Sequence, residues 1–139
     1  MKKAILIFIL LIAALAGYWT WQAYNKPVAT LHNVNPELDM DADKLFADYA
    51  ENEESANQKY LGKIIRISGK VLDVNINSNE YSTIYLDGND VMGSVSCQLE
   101  KGEEAKAEKL NAGMAVSIKG KCTGFAMDVV LTQCIIIEP

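Results

Sequence analysis

The chain has 139 residues, half of them apolar and 22% charged, with a net charge of −5. That is the composition of one globular domain with extra segments, and it excludes a disordered chain. From Asp41 onward ten lysine and arginine residues face sixteen acids, so the broad basic footprint of a phosphate-tracking protein is missing.

The first 24 residues form a segment of their own. Lys2 and Lys3 precede the apolar run AILIFILLIAALAG, and Tyr18, Trp19, Trp21 and Tyr24 follow it. Ala4 to Trp21 would extend about 27 Å as a helix at roughly 1.5 Å per residue, enough to span a bilayer. The aromatic residues suit the membrane–water interface, and the lysines suit the cytoplasmic side. The expectation is an uncleaved signal-anchor with the rest of the chain extracytoplasmic (periplasmic). A cleaved secretory signal is the alternative, with Ala14-Leu15-Ala16 as its small-residue site. LAGY lacks the cysteine of a lipoprotein signal, because Tyr18 stands in its place.

Residues 25–40 read as a linker containing Pro27, Pro36 and the one histidine, His32, without an apolar period. The domain is expected over 41–139. It opens with an amphipathic helix over 41–61, in which Leu45, Phe46 and Tyr49 share a face, Asp39 or Asp41 caps the start and Gly62 marks the stop. The ENEE run lacks the spaced ligands and glycine of a calcium loop and reads as a solvated helix face.

After Gly62 the period becomes two. KIIRISGKVLDVNIN alternates through Ile65, Ile67 and Val71, and Gly69 in mid-run suggests a bulge or bend. YSTIYLDG and VMGSVSCQLE follow as strands joined through Asp87-Gly88-Asn89-Asp90. EEAKAEKL is a short polar helix. MAVSIKGKC and DVVLTQCIII close the chain as a hairpin. Three strands, a helix and two more strands make the order β-β-β-α-β-β. The fold class is therefore mainly β, a five-stranded OB-fold barrel preceded by the amphipathic and N-terminal transmembrane helices.

Two stretches, ANQKYLGKIIRISGKV and KGKCTGFAMDVVLTQC, resemble the tRNA-anticodon-like (tRNA_anti-like) OB-fold family. The likeness spans roughly Asp43 to Ile137, and members of that family include small bacterial envelope proteins with an N-terminal apolar segment. The resemblance implies an OB fold. It does not by itself imply RNA binding.

OB barrels bind ligands over their second and third strands and the flanking loops. The expected face comprises Tyr81, Tyr85, Met92, Ser94 and Ser96, with Asn75 and Asn77 in one loop and Phe125 and Met127 in another. Exposed aromatics there can stack on bases, sugars or a partner's side chains, or can simply pair across strands. Arg66, Lys70, Lys119 and Lys121 point outward from neighbouring strands as a candidate basic strip, or as an ordinary charged sheet face.

Cys122 and Cys134 lack the short CxxC spacing of a zinc site or a redox pair. Whether they can bridge depends on where the last hairpin turns. A pivot near Phe125-Ala126 leaves them about five residues, or some 16 Å, out of register, whereas a pivot near Asp128 sets them face to face. Cys97 has the inward parity of a core residue. No cofactor, metal or catalytic residue is indicated: a glycine-rich phosphate loop, a nucleophile–base pair and a ligand cluster are all missing from the sequence. The expected function is a non-enzymatic, membrane-anchored binding module for an envelope protein, peptide or glycan. The alternative is an OB-fold binder of RNA or single-stranded DNA.

Overall fold

The computed structural model describes residues 1–25 and 30–138, and for Glu138 the backbone alone. Helix α1 covers Lys2–Tyr24, is exposed throughout and has a mean hydropathy of 2.2 over its most apolar window. It is long and apolar enough to cross a membrane, a property open to an anchor and to a signal segment alike. Lys26 and Pro27 of the expected linker lie outside the described residues.

Five strands close the barrel: β2 (Ile64–Asn75), β3 (Thr83–Asp87), β4 (Ser94–Leu99), β5 (Ala115–Phe125) and β6 (Val129–Glu138). Their order around the wall is β2-β3-β4-β6-β5, and β5 returns to β2. This is the OB fold. Strand β2 makes the closure: its first half pairs antiparallel with β5 from Ile64↔Lys121 to Lys70↔Ala115, and its second half pairs with β3. The register slips between Val71 and Asp73, so the bulge lies just beyond Gly69. Alternate residues of each strand fill the interior, among them Ile65, Ile67, Ile84, Leu86, Val95, Ile118 and Leu131, all essentially inaccessible. Burying each such side chain contributes about 1.5–3 kcal/mol.

The region before β2 is more ordered than its composition suggested. Leu38–Asp41 forms β1, a parallel strand on the first half of β2, with Leu38 and Met40 against the core. Two helices follow where one was expected: α2 (Ala42–Glu51) and α3 (Glu53–Tyr60), separated at Asn52. Asn52 has extended backbone and its side chain accepts from Ser55 N–H at 2.9 Å, so it ends one helix by capping the next. Asp41 is the N-cap residue of α2, and Gly62 follows α3 with φ 78°. Helix α2 buries Leu45, Phe46 and Tyr49 over one end of the barrel. The Phe46 ring lies so close to Gly93 that a Cβ there would approach within 2.2 Å. The short helix α4 (Glu104–Ala107), with Ala107 and Leu110 buried, follows β4 at the opposite end.

The stretch between α1 and β1 is also fastened to the barrel. Leu31 is buried, and Lys119, itself only 7% exposed, donates from Nζ to the carbonyl of Val34 at 2.7 Å and of His32 at 3.5 Å. His32 Nε2 lies 3.6 Å from Glu103 Oε1. Glu103, 3% exposed, also accepts from Ile136 N–H at 2.8 Å and from Lys106 Nζ at 2.9 Å. The Lys106 pair is half open to solvent and adds little. The bond to the Ile136 amide carries more, since donor and acceptor are both withdrawn from solvent.

All three cysteines are buried free thiols. Of the two arrangements left open for Cys122 and Cys134, the structure has the unbridged one: register places Cys122 opposite Leu131, with irregularities between Cys122 and Gly124 and between Lys119 and Lys121. Cys122 instead lies 3.3 Å from the Tyr49 hydroxyl, and burial holds that phenol well above its ordinary pKa. Burial, aided by the neighbouring Cys97, likewise pushes the Cys134 thiol well up. A thiol that stays protonated is a poor nucleophile.

Two outcomes follow from this packing. A maleimide should modify none of the cysteines in the native chain and all three after unfolding; a mass two protons light before reduction would instead reveal a bridge. Glu103→Ala should cost about 2–4 kcal/mol in denaturant unfolding, and Glu103→Gln, which keeps an acceptor for Ile136, distinctly less. An unchanged midpoint for Glu103→Ala would remove the carboxylate from this role.

Candidate ligand-binding face

The outward residues of β3 and β4 form the centre of the candidate surface. Strand pairing sets them in rows. Tyr85 lies between Asp73 of β2 and Ser96 of β4, and Ser96 lies beside Val130 of β6. Thr83 lies between Asn75 and Gln98. Asp87 faces Ser94, whose N–H and hydroxyl both donate to Asp128 Oδ1, at 3.2 and 2.7 Å. That carboxylate ties the β5–β6 turn to the start of β4.

Tyr85, Ser94, Ser96 and Asn75 are therefore brought together, although Ser96 is nearly covered. Tyr81 precedes β3 and is 64% exposed; it lines a groove of about 430 Å³ with Gln98, Glu100, Lys101, Thr132 and Gln133. Met92 and Met127 are exposed in the 88–93 loop and the β5–β6 turn, at the rim nearest α2. The strand expected over VMGSVSCQLE starts only at Ser94, which leaves Val91 fully exposed in the loop before it.

Two expected members belong elsewhere. Phe125 stacks on Tyr49 at 5.7 Å between ring centroids and meets Phe46 edge-on at 6.0 Å, so it seals the barrel end under α2. Asn77 organises its own loop: its N–H donates to Ser82 Oγ, and its side chain accepts from Asn79 N–H and donates to Glu80. Conversely, Gln98, Thr132 and Gln133 join the surface without having been singled out. Parity alone places Gln98 with Ser96. Gln133 is hidden from a parity argument because its backbone is left-handed, with φ 55°.

The candidate basic strip does not assemble. Arg66 and Lys119 are cross-strand partners, but Arg66 pairs with Asp39 of β1 and Lys119 lies beneath residues 32–34. Lys70 borders a polar groove with Asp41, Asp43 and Asp87. Lys70 and Lys121 remain exposed on that side, at opposite ends of the β2–β5 pairing, and form no continuous strip with the other two. The face itself is acidic. From Val71 to Glu100 the chain carries Asp73, Glu80, Asp87, Asp90 and Glu100 and neither lysine nor arginine; Lys101 stands at the rim. No group of three metal-ligating side chains occurs among the described residues.

Comparison with solved structures places this architecture among known ones. A "putative nucleic acid-binding lipoprotein" from Klebsiella pneumoniae superimposes with a TM-score of 0.59 at 16% identity, covering 71% of this chain and 91% of its own. Asparaginyl-tRNA synthetases from Pyrococcus horikoshii and Entamoeba histolytica give TM-scores of 0.42 and 0.45 at 22% and 15% identity. They cover 58% and 75% of this chain but only 20% and 24% of their own length. The Klebsiella likeness speaks for the fold alone. No curated protein matches the chain. The sequence model of the tRNA_anti-like family matches residues 1–136, which takes in α1, β1 and nearly the whole barrel, and the chain belongs to that family.

Proposed function

We propose that this protein is a non-enzymatic binding module tethered by α1 to a membrane of the cell envelope. Its β3–β4 face meets an extracytoplasmic protein, peptide or glycan rather than a phosphodiester backbone. The carrying observation is electrostatic: thirty residues, Val71 to Glu100, build most of that face with five acids and no cation. Phosphate contacts supply most of the affinity in non-specific nucleic-acid binding and require Lys or Arg along the path of the backbone. Here Arg66 is occupied by Asp39, and Lys119 by the 32–34 carbonyls.

Nucleic acid is the second reading, favoured by the exposed Tyr81 and by the half-buried Tyr85 at the centre of the face. Aromatic stacking on bases contributes about 1–3 kcal/mol per base, but single-strand binders combine it with a positively charged groove. This face has the rings without the groove.

The two readings separate in an anisotropy titration of the full chain with ~15-nucleotide oligothymidylate and oligouridylate. At ~150 mM salt neither should bind below ~100 µM, and residual binding at low salt should be indifferent to Tyr85→Ala. Micromolar binding that falls steeply with salt and is lost in Tyr85→Ala would overturn the proposal.

A further inference from the structure

Thr132 and Gln133 are consecutive residues of β6 that both line the groove beside Tyr81, and both stay partly exposed between the fully buried Leu131 and Cys134. A regular strand sends neighbours to opposite faces. The exception arises from a bulge at Gln133, where φ is 55°. Around it the β4–β6 register slips between Cys97 and Leu99 and the β5–β6 register between Lys119 and Lys121. Glu100 N–H holds the Cys134 carbonyl just beyond the bulge at 2.8 Å. Left-handed backbone at a residue other than glycine is costly and persists only where its surroundings impose it. Bulges of this kind commonly re-aim a side chain.

The groove gains a second carboxamide by this device. Gln98 and Gln133 supply two amides that donate and accept, Thr132 a hydroxyl, and Tyr81 an exposed ring. Glu100 contributes a carboxylate whose Oε2 is buried and without a hydrogen-bond partner among the described residues. Lys101 stands as the single cation. The volume, about 430 Å³, falls within the range of small-molecule clefts, roughly 300–1,000 Å³.

We propose that this groove is a saccharide subsite that takes an uncharged pyranose unit of an oligosaccharide. This deepens the envelope-module reading and rests on its exclusion of phosphodiesters. The apolar face of a pyranose can lie on the Tyr81 ring while neighbouring hydroxyls exchange hydrogen bonds with the two amides and Thr132. A base could stack on the same ring, but its phosphates would then run beside Glu80 and Glu100 with one lysine to meet them. A peptide could not join as an added strand, because β3, β4 and β6 each have both edges paired. The groove is open to side-chain recognition only.

The full chain in lipid nanodiscs, free of sugar-headed detergents that would compete, is titrated by calorimetry with tetra-N-acetylchitotetraose and with maltotetraose. At least one should bind saturably. Tyr81→Ala, on an exposed loop where folding is not at stake, should weaken that binding roughly tenfold, with Tyr81→Phe retaining it and Lys59→Ala, exposed on α3 and outside the groove lining, leaving it unchanged. Failure of both sugars to bind, or binding indifferent to Tyr81→Ala, overturns the subsite. The oligonucleotide titration then says separately whether the envelope-module reading fails with it: it falls if the oligonucleotides bind and stands if they do not.

Discussion

Strand β2 pairs with three other strands, and it can do so because it bends between Gly69 and Asp73. Before the bend it lies between β1 and β5; beyond it, it pairs with β3. A flat strand could not belong to both halves of so small a barrel. The bend also seats the N-terminal helices, since a Cβ on Gly69 would come within 2.9 Å of the Ala42 Cβ at the start of α2. From there Leu45, Phe46 and Tyr49 reach over the barrel end and meet Phe125. Closure, the covered end and the pairing of every edge along β3, β4 and β6 thus share one cause. With no edge left on that side, whatever this face recognises must be recognised by side chains.

The charges are arranged to the same effect. Residues 31–34 come down on β5, and their carbonyls occupy Lys119. Asp39 of β1 engages Arg66. Both contacts come from the segment between α1 and the barrel, so the residues that follow the apolar helix also engage two of the cations, Arg66 and Lys119, with which the β2–β5 wall could hold a phosphate chain. Across the barrel, Asp73, Asp87 and Asp128 border Tyr85 and Ser94. An anionic polymer would be repelled there, with little screening at close range. A neutral polymer would meet hydroxyls, amides and phenol rings.

Much of this was legible in the sequence, and for identifiable reasons. The change from a period near 3.6 to a period of two after Gly62, the mid-strand Gly69 and the order of five strands define the barrel, because each is a local property of the chain. The parity that puts Tyr85 beside Ser96 on the surface is equally local. What escaped depends on contacts between distant residues. Lys119 does point outward as its parity requires, but it is covered by residues some 85 positions earlier. Four residues, Leu38–Asp41, are too few to show a period, so β1 emerges only when β2 offers its edge. The Cys122–Cys134 pairing turned on register, and the irregularities in β5 and β6 that shift it leave no mark on composition. Gln133 reaches the groove by the same irregularity.

The membrane tether and the side on which the barrel stands are the most direct test of the function proposed. The three native thiols are buried, so the chain supplies its own blank. Val91 is fully exposed in the 88–93 loop, and Val91→Cys adds a single reachable thiol. Spheroplasts expressing the full chain would be treated with a membrane-impermeant maleimide before and after lysis. Labelling of Val91→Cys in unlysed spheroplasts, with the unsubstituted chain unlabelled, is the result expected of a barrel facing the envelope. Labelling only after lysis would place the barrel in the cytoplasm and contradict the proposed function at its root.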